Sequence, residues 1–301
     1  MDKSFHHEKN KENKEENKGD GSPDSLYSMD NSRPFDSKEV VFYRDGEFRV
    51  GDDKVVFESP VTIFFNGTEL VTLLCTPLKL DYLVLGFLRS EGFIDSKVDV
   101  KDIQVDAPKG LVAVESREKK DLAEKLYGRR TVTTGCGKGT TFFTAWDSLR
   151  SRPVKSDFQV SAPRILTLME QMQKKAEIFK ETGGLHSAAL CSSEELLFFS
   201  EDVGRHNALD KIVGESLWHE LELKDKILIS SGRISSEMML KAAKLEVPIV
   251  VSRSAPTELG INIAEKMNIT LIGFARGRRL NIYNRPDRVS QGQSVPEGRS
   301  C

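Results

Sequence analysis

A chain of 301 residues that is 38% hydrophobic and 30% charged can bury the core of one or two globular domains, and no run approaches the roughly 20 apolar residues that a membrane span requires. A formal net charge of −2 argues against nonspecific nucleic-acid binding by the whole molecule, although it leaves room for a local basic pocket. The four cysteines, Cys75, Cys136, Cys191 and Cys301, share no short repeated spacing, which excludes a disulfide framework and a cysteine-rich zinc site; with a polar start that does not resemble a secretory signal, this predicts a cytoplasmic protein.

Residues 1–34, rich in Lys, Glu, Asn, Ser and Gly, hold too few apolar side chains to offset the entropy of ordering and read as a disordered tail in which His6 and His7 are solvated. Residues 35–135 read as a smaller α+β domain. Its β-rich runs are broken by Asp45-Gly46, Gly51-Asp52-Asp53 and Asn66-Gly67, the punctuation of hairpins. Leu80, Leu83, Val84, Phe87 and Leu88 then recur at helical spacing up to a stop at Gly92. Cys75 lies in an apolar run and is expected to be packed. Two further strands are predicted on either side of Pro108 to Gly110.

Residues 136–285 read as an α/β domain with the Cys136 loop at its start. Phe142, Phe143 and Trp146 fit the buried face of a short helix. A firmer helix places Ile165, Leu168, Met169, Met172 and Phe179 on one face, with Gly183 or Gly184 as its stop. Two strands follow around a polar turn, Cys191 packed in the first. Next comes a helix burying Ala208, Leu209, Ile212, Val213 and Leu217, and then strand, helix, strand, helix and strand. This alternation predicts a mainly parallel sheet covered on both faces, with ligands at the loops leaving the strands. Residues 286–301, ending in Cys301, read as a second disordered tail.

Those loops are "EDVGRHN", "SGRISSE", "SRSAPTE" and "FARGRR". Small residues entering a helix expose N–H groups that attract anions, and Arg205, Arg233, Arg253, Arg276, Arg278 and Arg279 stand beside them with guanidinium groups that can grip adjacent phosphate oxygens. The competing reading pairs these arginines with Glu201, Asp202, Glu237 and Glu258. His186 and His206, each among small residues, are either site residues or hydrogen-bonded structural groups. A zinc deaminase would need His-x-Glu followed by Pro-Cys-x-x-Cys, and that ligand set is missing; no metal site is predicted. The stretch "GCGKGT" also fails as a Walker-type phosphate loop. Cys136 sits between two glycines, with Lys138, Arg129 and Arg130 nearby to favour its thiolate, so it can attack, be attacked and hold sulfur as a persulfide; the alternative is an incidental loop cysteine.

The strings "ESPVTIFFNG", "TPLKLDYLVLGFLRSEGFI", "TGGLHSAAL", "EDVGRHNALDKIVG", "SSGRISSEMMLKAA" and "VPIVVSRSAPTELGINIAEKMNITLIGFARGRRLNIY" closely resemble the formate dehydrogenase accessory protein family, FdhD, over roughly Glu58 to Arg285. The resemblance implies a sulfurtransferase that takes sulfur from a cysteine desulfurase as a persulfide. It then passes the sulfur to the molybdenum bis(molybdopterin guanine dinucleotide) cofactor that formate dehydrogenase requires. It further implies guanine nucleotide (GDP) binding, a homodimer, and a cytidine-deaminase-like core beside the smaller domain. By the same resemblance Cys136 matches the sulfur-carrying loop and Phe274, Ala275, Arg276, Gly277, Arg278 and Arg279 match a cofactor-binding stretch. The family's Cys-x-x-Cys pair is broken here, because Thr133 stands in the first position; sulfur would then leave by direct transfer. A chaperone that binds the guanine dinucleotide without covalent chemistry is the alternative.

Overall fold

The computed structural model describes residues 34–118, 131–132, 140–141 and 153–292. The Cys136 loop, the expected helix around Phe142 to Trp146, most of the N-terminal tail, and Cys301 lie outside the described residues.

The described residues open with a two-stranded antiparallel ribbon, β1 (Phe35–Arg44) and β2 (Glu47–Val56), turned at Asp45-Gly46. A four-stranded sheet follows, made of β3 (Ser59–Phe65), β4 (Thr68–Cys75), β5 (Val100–Asp106) and β6 (Leu111–Ser116) in the order β4-β3-β6-β5. Its inner face carries Val61, Ile63, Phe65, Val112 and Val114, all essentially inaccessible. Helix α1 (Leu80–Ser90) covers that face with the expected Leu80, Leu83, Val84, Phe87 and Leu88.

A two-residue pair, β7 (Thr131–Val132) with β8 (Thr140–Thr141), lies between this sheet and the second half. There β9 (Val160–Ser161) leads into α2 (Ala162–Lys175), which starts on the Ser161 cap and buries Ile165, Leu168, Met169 and Met172. The single helix expected to run on to Gly183 is in fact two. Ala176 leaves helical geometry at φ −75°, ψ 71° and separates α3 (Glu177–Thr182) from α2, and Phe179 is 39% exposed instead of packed.

The larger sheet contains β10 (His186–Cys191), β11 (Leu196–Asp202), β12 (Ile227–Ser230), β13 (Ile249–Ser252), β14 (Thr270–Arg276) and β15 (Arg279–Ile282), in the order β11-β10-β12-β13-β14-β15. It is mixed, not mainly parallel. Only the β12/β13 and β13/β14 pairs are parallel, because the polar turn at Ser192–Glu195 and the glycine turn at Gly277, φ +58°, fold β10/β11 and β14/β15 into hairpins. Helices α4 (Arg205–Trp218), α5 (Ser236–Lys244) and α6 (Glu258–Lys266) cover one face over Leu190, Leu228, Val250 and Leu271; α2 covers the other over Ala189, Ile229, Val251 and Ile272. The central strands β12 and β13, buried on both faces, are apolar along their length until they end at the buried Ser230 and Ser252.

Helix α4 binds the two halves together. Its inner side lies on the sheet and its outer side on α1, where backbones meet so closely that a Cβ on Gly86 would stand 1.7 Å from the Asp210 carbonyl oxygen and one on Gly214 would stand 1.9 Å from that of Tyr82. Sandwiched this way, α4 also buries polar residues that its sequence presents as solvated. Lys211 pairs with Asp202 at 2.7 Å and Asp210 with Lys241 at 2.6 Å, all four almost inaccessible. Residues 286–292, expected to belong to a disordered C-terminal tail, are structured. Pro286–Arg288 form a 3-10 turn, β16 (Val289–Ser290) pairs with β9, and the buried Arg288 donates to the carbonyls of Pro248, Asn268 and Ser156.

Candidate functional site

The pairing directions decide where the loops meet. His186 at the start of β10 faces Asp202 at the end of β11, while Ala188 faces Ser230, and Ser230 faces Ser252 across a parallel pair. The first residue of β10 and the last residues of β11, β12, β13 and β14 therefore share one edge of the sheet. The mixed topology brings the four expected loops together all the same, and adds His186 to them.

This edge is laced by short hydrogen bonds. Ser231 N donates to Ser187 O and Ser187 N to Ser231 Oγ, both at 2.9 Å; Arg253 N donates to Ser230 O at 3.0 Å, Ser252 Oγ to Gly232 O at 2.6 Å, and Phe274 N to Ser254 O at 3.0 Å. Phe274 is held at φ +52°, an uncommon region for a bulky residue, where the β14/β15 register shifts.

On this base the candidates fall into two groups. Arg205 and His186 flank Gly232, whose Cβ position lies 3.0 Å from Arg205 Cβ and 3.5 Å from His186 Nδ1. His186 Nδ1 is 3.4 Å from Ser231 Oγ, and His206 Nε2 is 3.3 Å from Glu237 Oε2. Further along stand the exposed Arg253 and the β14/β15 turn, with Arg276 stacked 5.8 Å from the centre of the Phe274 ring. Neighbouring strands are about 4.8 Å apart, so the edge from β11 to β15 is a row on the order of 24 Å long. A single phosphate cannot bridge it; an elongated ligand can. Gly277, Arg278 and Arg279 lie exposed at its far end, whereas Ala275 has its side chain in the core against α2 and reaches no ligand.

Of the four acids the sequence offered as partners for the arginines, Glu237 stands 3.3 Å from His206, and the other three are engaged elsewhere. Glu201 accepts from the N–H groups of Ile178 and Phe179, Asp202 holds Lys211, and Glu258 accepts from Asn262. Among the described residues, Arg233, Arg253, Arg276 and Arg279 are exposed and form no ion pair within 4 Å. Both histidines are uncharged at neutral pH. Burial, then the cations Lys241 and Arg205, push His206 down to about 3; burial and Arg205 lower His186, against the opposing pull of Asp202. The positive charge of the rim therefore comes from guanidinium groups.

Beside the row, between it and helices α2 and α3, opens a cavity of about 340 Å³ lined by Met172, Phe179, Leu185, Ser187, Ser231 and Arg253, among others. The sequence assigned Met172 and Phe179 to a core and did not single out Ser187, Ser231 or Gly232. The available signal was the run of small residues ahead of Arg233. Cys75 and Cys191 are buried thiols, each pushed up to about 12 by burial, so neither is a nucleophile at neutral pH. Among the described residues no group of three or more His, Cys, Asp or Glu side chains could hold a metal ion.

Comparison with known proteins places this arrangement. The sequence profile of the FdhD/NarQ family matches residues 56–290. The sulfur carrier protein FdhD of Bacillus subtilis (strain 168) is 43% identical over 254 residues, covering 84% of this chain and 97% of that protein, and that of Listeria innocua is 42% identical over 255 residues, covering 84% and 98%. A crystal structure of a formate dehydrogenase accessory protein from Desulfotalea psychrophila superposes with a TM-score of 0.72 at 25% identity, covering 86% of this chain and all of that one. By the length of the profile match and the closeness of these relatives, the chain belongs to the FdhD/NarQ family.

Proposed function

We propose that this protein is a cytoplasmic sulfur carrier serving formate dehydrogenase, and that Cys136 holds the sulfur. The Cys136 thiolate attacks the outer sulfur of a persulfide on a cysteine desulfurase. A new S–S bond forms, the donor's S–S bond breaks, and the donor cysteine departs as thiolate. The Cys136 S–S bond then breaks, Cys136 departs as thiolate, and the outer sulfur passes to the molybdenum bis(molybdopterin guanine dinucleotide), whose metal in the Mo(IV) state would supply the two electrons that make it a sulfido ligand; this cofactor is cargo and not a resident group. Its phosphates lie along Arg233, Arg253, Arg276 and Arg279 and the N-terminal N–H groups of α5 and α6, and a flat ring enters the cavity between Phe179 and Leu185. GDP is the smaller ligand expected to occupy part of the same row. In this reading the six-stranded sheet is a cytidine-deaminase-like core joined to the smaller domain, the protein works as a homodimer, and no metal is resident.

The observation that carries the reading is the row of exposed arginines, without acidic partners among the described residues, beside an apolar cavity in a chain whose relatives are named sulfur carriers. The test is intact mass after incubation with a cysteine desulfurase and cysteine. An added sulfur atom is expected, and it is expected to vanish in Cys136→Ala; a wild type that gains no sulfur would reject the reading. The second reading, a cofactor chaperone without covalent chemistry, draws on Thr133 and on the burial of both described thiols, which leaves no resolving cysteine among the described residues. It predicts GDP binding with no sulfur adduct.

A further inference from the structure

The β1/β2 ribbon belongs to neither sheet and is not used in the site described above. Its ten register pairs put Val41 opposite Val50 and Tyr43 opposite Phe48 on one face, and these four are 64, 67, 65 and 77% exposed. The two rings pack on each other, 5.1 Å between centres. A two-stranded hairpin alone is marginal in water, and contiguous exposed apolar surface marks interaction sites. One step further along the same face, Glu39 lies opposite Asp52. Like charges in a cross-strand pair are destabilising, and neither carboxylate meets a cation within 4 Å among the described residues.

The base of the ribbon sits at the candidate site. Lys54 pairs with Glu181 of α3, and Val56 packs so tightly on Gly184 that a Cβ there would lie 2.9 Å from it. Helix α3 supplies Phe179 and Lys180 to the cavity wall, and Gly184 stands two residues before His186. A body held on the ribbon is thus held beside the site.

We propose that the exposed face of this ribbon is a docking arm for a partner protein whose contact surface has an apolar centre flanked by basic side chains. Charge favours such a partner over a second copy of this chain. Two ribbons stacked antiparallel on these faces would set Glu39 and Asp52 of each over the Asp45 turn of the other, and a parallel stack would set the acidic pairs on one another. Edge pairing is disfavoured too, since residues 35–56 carry six carboxylates and four cations along the strands, the usual protection of open edges.

The identity of the partner rests on the sulfur-carrier reading, and the experiment separates the two. A photo-cross-linking amino acid replaces Phe48 in the full chain, or Val98, 65% exposed elsewhere, as control. Each is irradiated with purified cysteine desulfurase and with formate dehydrogenase, and the joined peptide is sequenced. The expected result is an adduct from position 48 and not 98, on a peptide with Lys or Arg beside apolar residues, falling at least tenfold on Glu39→Lys/Asp52→Lys. No adduct with either enzyme, cross-linking only to a second copy, an acidic joined peptide, or a yield indifferent to the charge reversal each overturns the proposal. Intact mass is read on the same mixtures. Docking without sulfur on Cys136 defeats the sulfur reading and leaves the arm standing, whereas sulfur loading without an adduct defeats the arm alone.

Discussion

Two regions of this molecule use the same charged residue types in opposite ways. Beneath α4, Asp202 receives Lys211, Thr76 N, Gly204 N and the Asn207 amide, while Asp210 receives Lys241 and Ser90 Oγ. Lys211 spends its remaining donors on the carbonyls of Thr76 and Glu201. At the rim, Arg233, Arg253, Arg276 and Arg279 are exposed and have no acid within 4 Å among the described residues. A charge buried with every bond satisfied is part of the scaffold. One left unpaired on a rigid edge is available to a ligand, and this contrast is what separates the two readings the sequence left open for the arginines.

The comparison breaks most visibly if the scaffold charges prove dispensable. Lys211→Ala strands Asp202 in an inaccessible site, and removing one partner of a buried pair costs about 3–5 kcal/mol; denaturant melts should show that loss, and a value near zero would mean that water replaces the ammonium. Next in size comes the α1/α4 contact. Gly86→Ala drives a methyl into the Asp210 carbonyl, so the helices must separate, at about 3 kcal/mol for an overpacked site that has no rotamer escape.

The scaffold was legible only in part. The spacing of Leu80, Leu83, Val84, Phe87 and Leu88 gave α1, because a helix with one buried face writes its period into the chain. Asp210 and Lys211 carried no such mark: α4 is covered on both sides, and burial of a polar residue depends on a partner 31 or ten positions away. Strand direction was illegible for a related reason. Apolar runs announce burial, but whether a run turns back through Ser192–Glu195 or crosses over through a helix is settled by a few polar residues. At the site, the loops and their arginines were readable because small residues next to Arg are unusual ahead of a helix. The cavity was not, since it arises where Ala176 ends α2 and Phe179 stays exposed.

His206 and Glu91 sharpen the boundary between the two regions through pH. His206 falls from an ordinary 6.5 to about 3, so the unfolded chain takes up a proton first and stability is lost as pH drops below 6.5. Glu91, buried near Lys241, Lys244 and Asp210, rises from 4.5 to about 7; its protonated form is favoured in the fold, and stability is lost as pH rises from 4.5 through 7. Between pH 5 and 6.5 the two slopes oppose each other, each about 2 kcal/mol, and the wild type should look nearly flat. Glu91→Gln should uncover the acid-side loss due to His206, with His186 adding in the same direction. His206→Gln should uncover the opposite slope. Identical flat profiles in both variants would show that neither group is shielded as described.

The smallest expected effect tests the rim directly. Arg253 is exposed, touches the cavity and holds its backbone to Ser230, so Arg253→Ala removes a guanidinium without disturbing the strand pairing. Stability should stay within about 0.5 kcal/mol of wild type, while GDP affinity measured by calorimetry should fall about tenfold, the loss of about 1.4 kcal/mol expected for one charge-assisted contact. The sign of the pair of numbers matters more than either alone. If stability falls and affinity holds, Arg253 is bracing the edge as Lys211 braces α4, and the rim is scaffold after all. If affinity falls and stability holds, the same side chain chemistry has been left free here for a ligand, and raising the salt concentration should erode wild-type affinity more steeply than that of the variant, because the lost contact is the screened one.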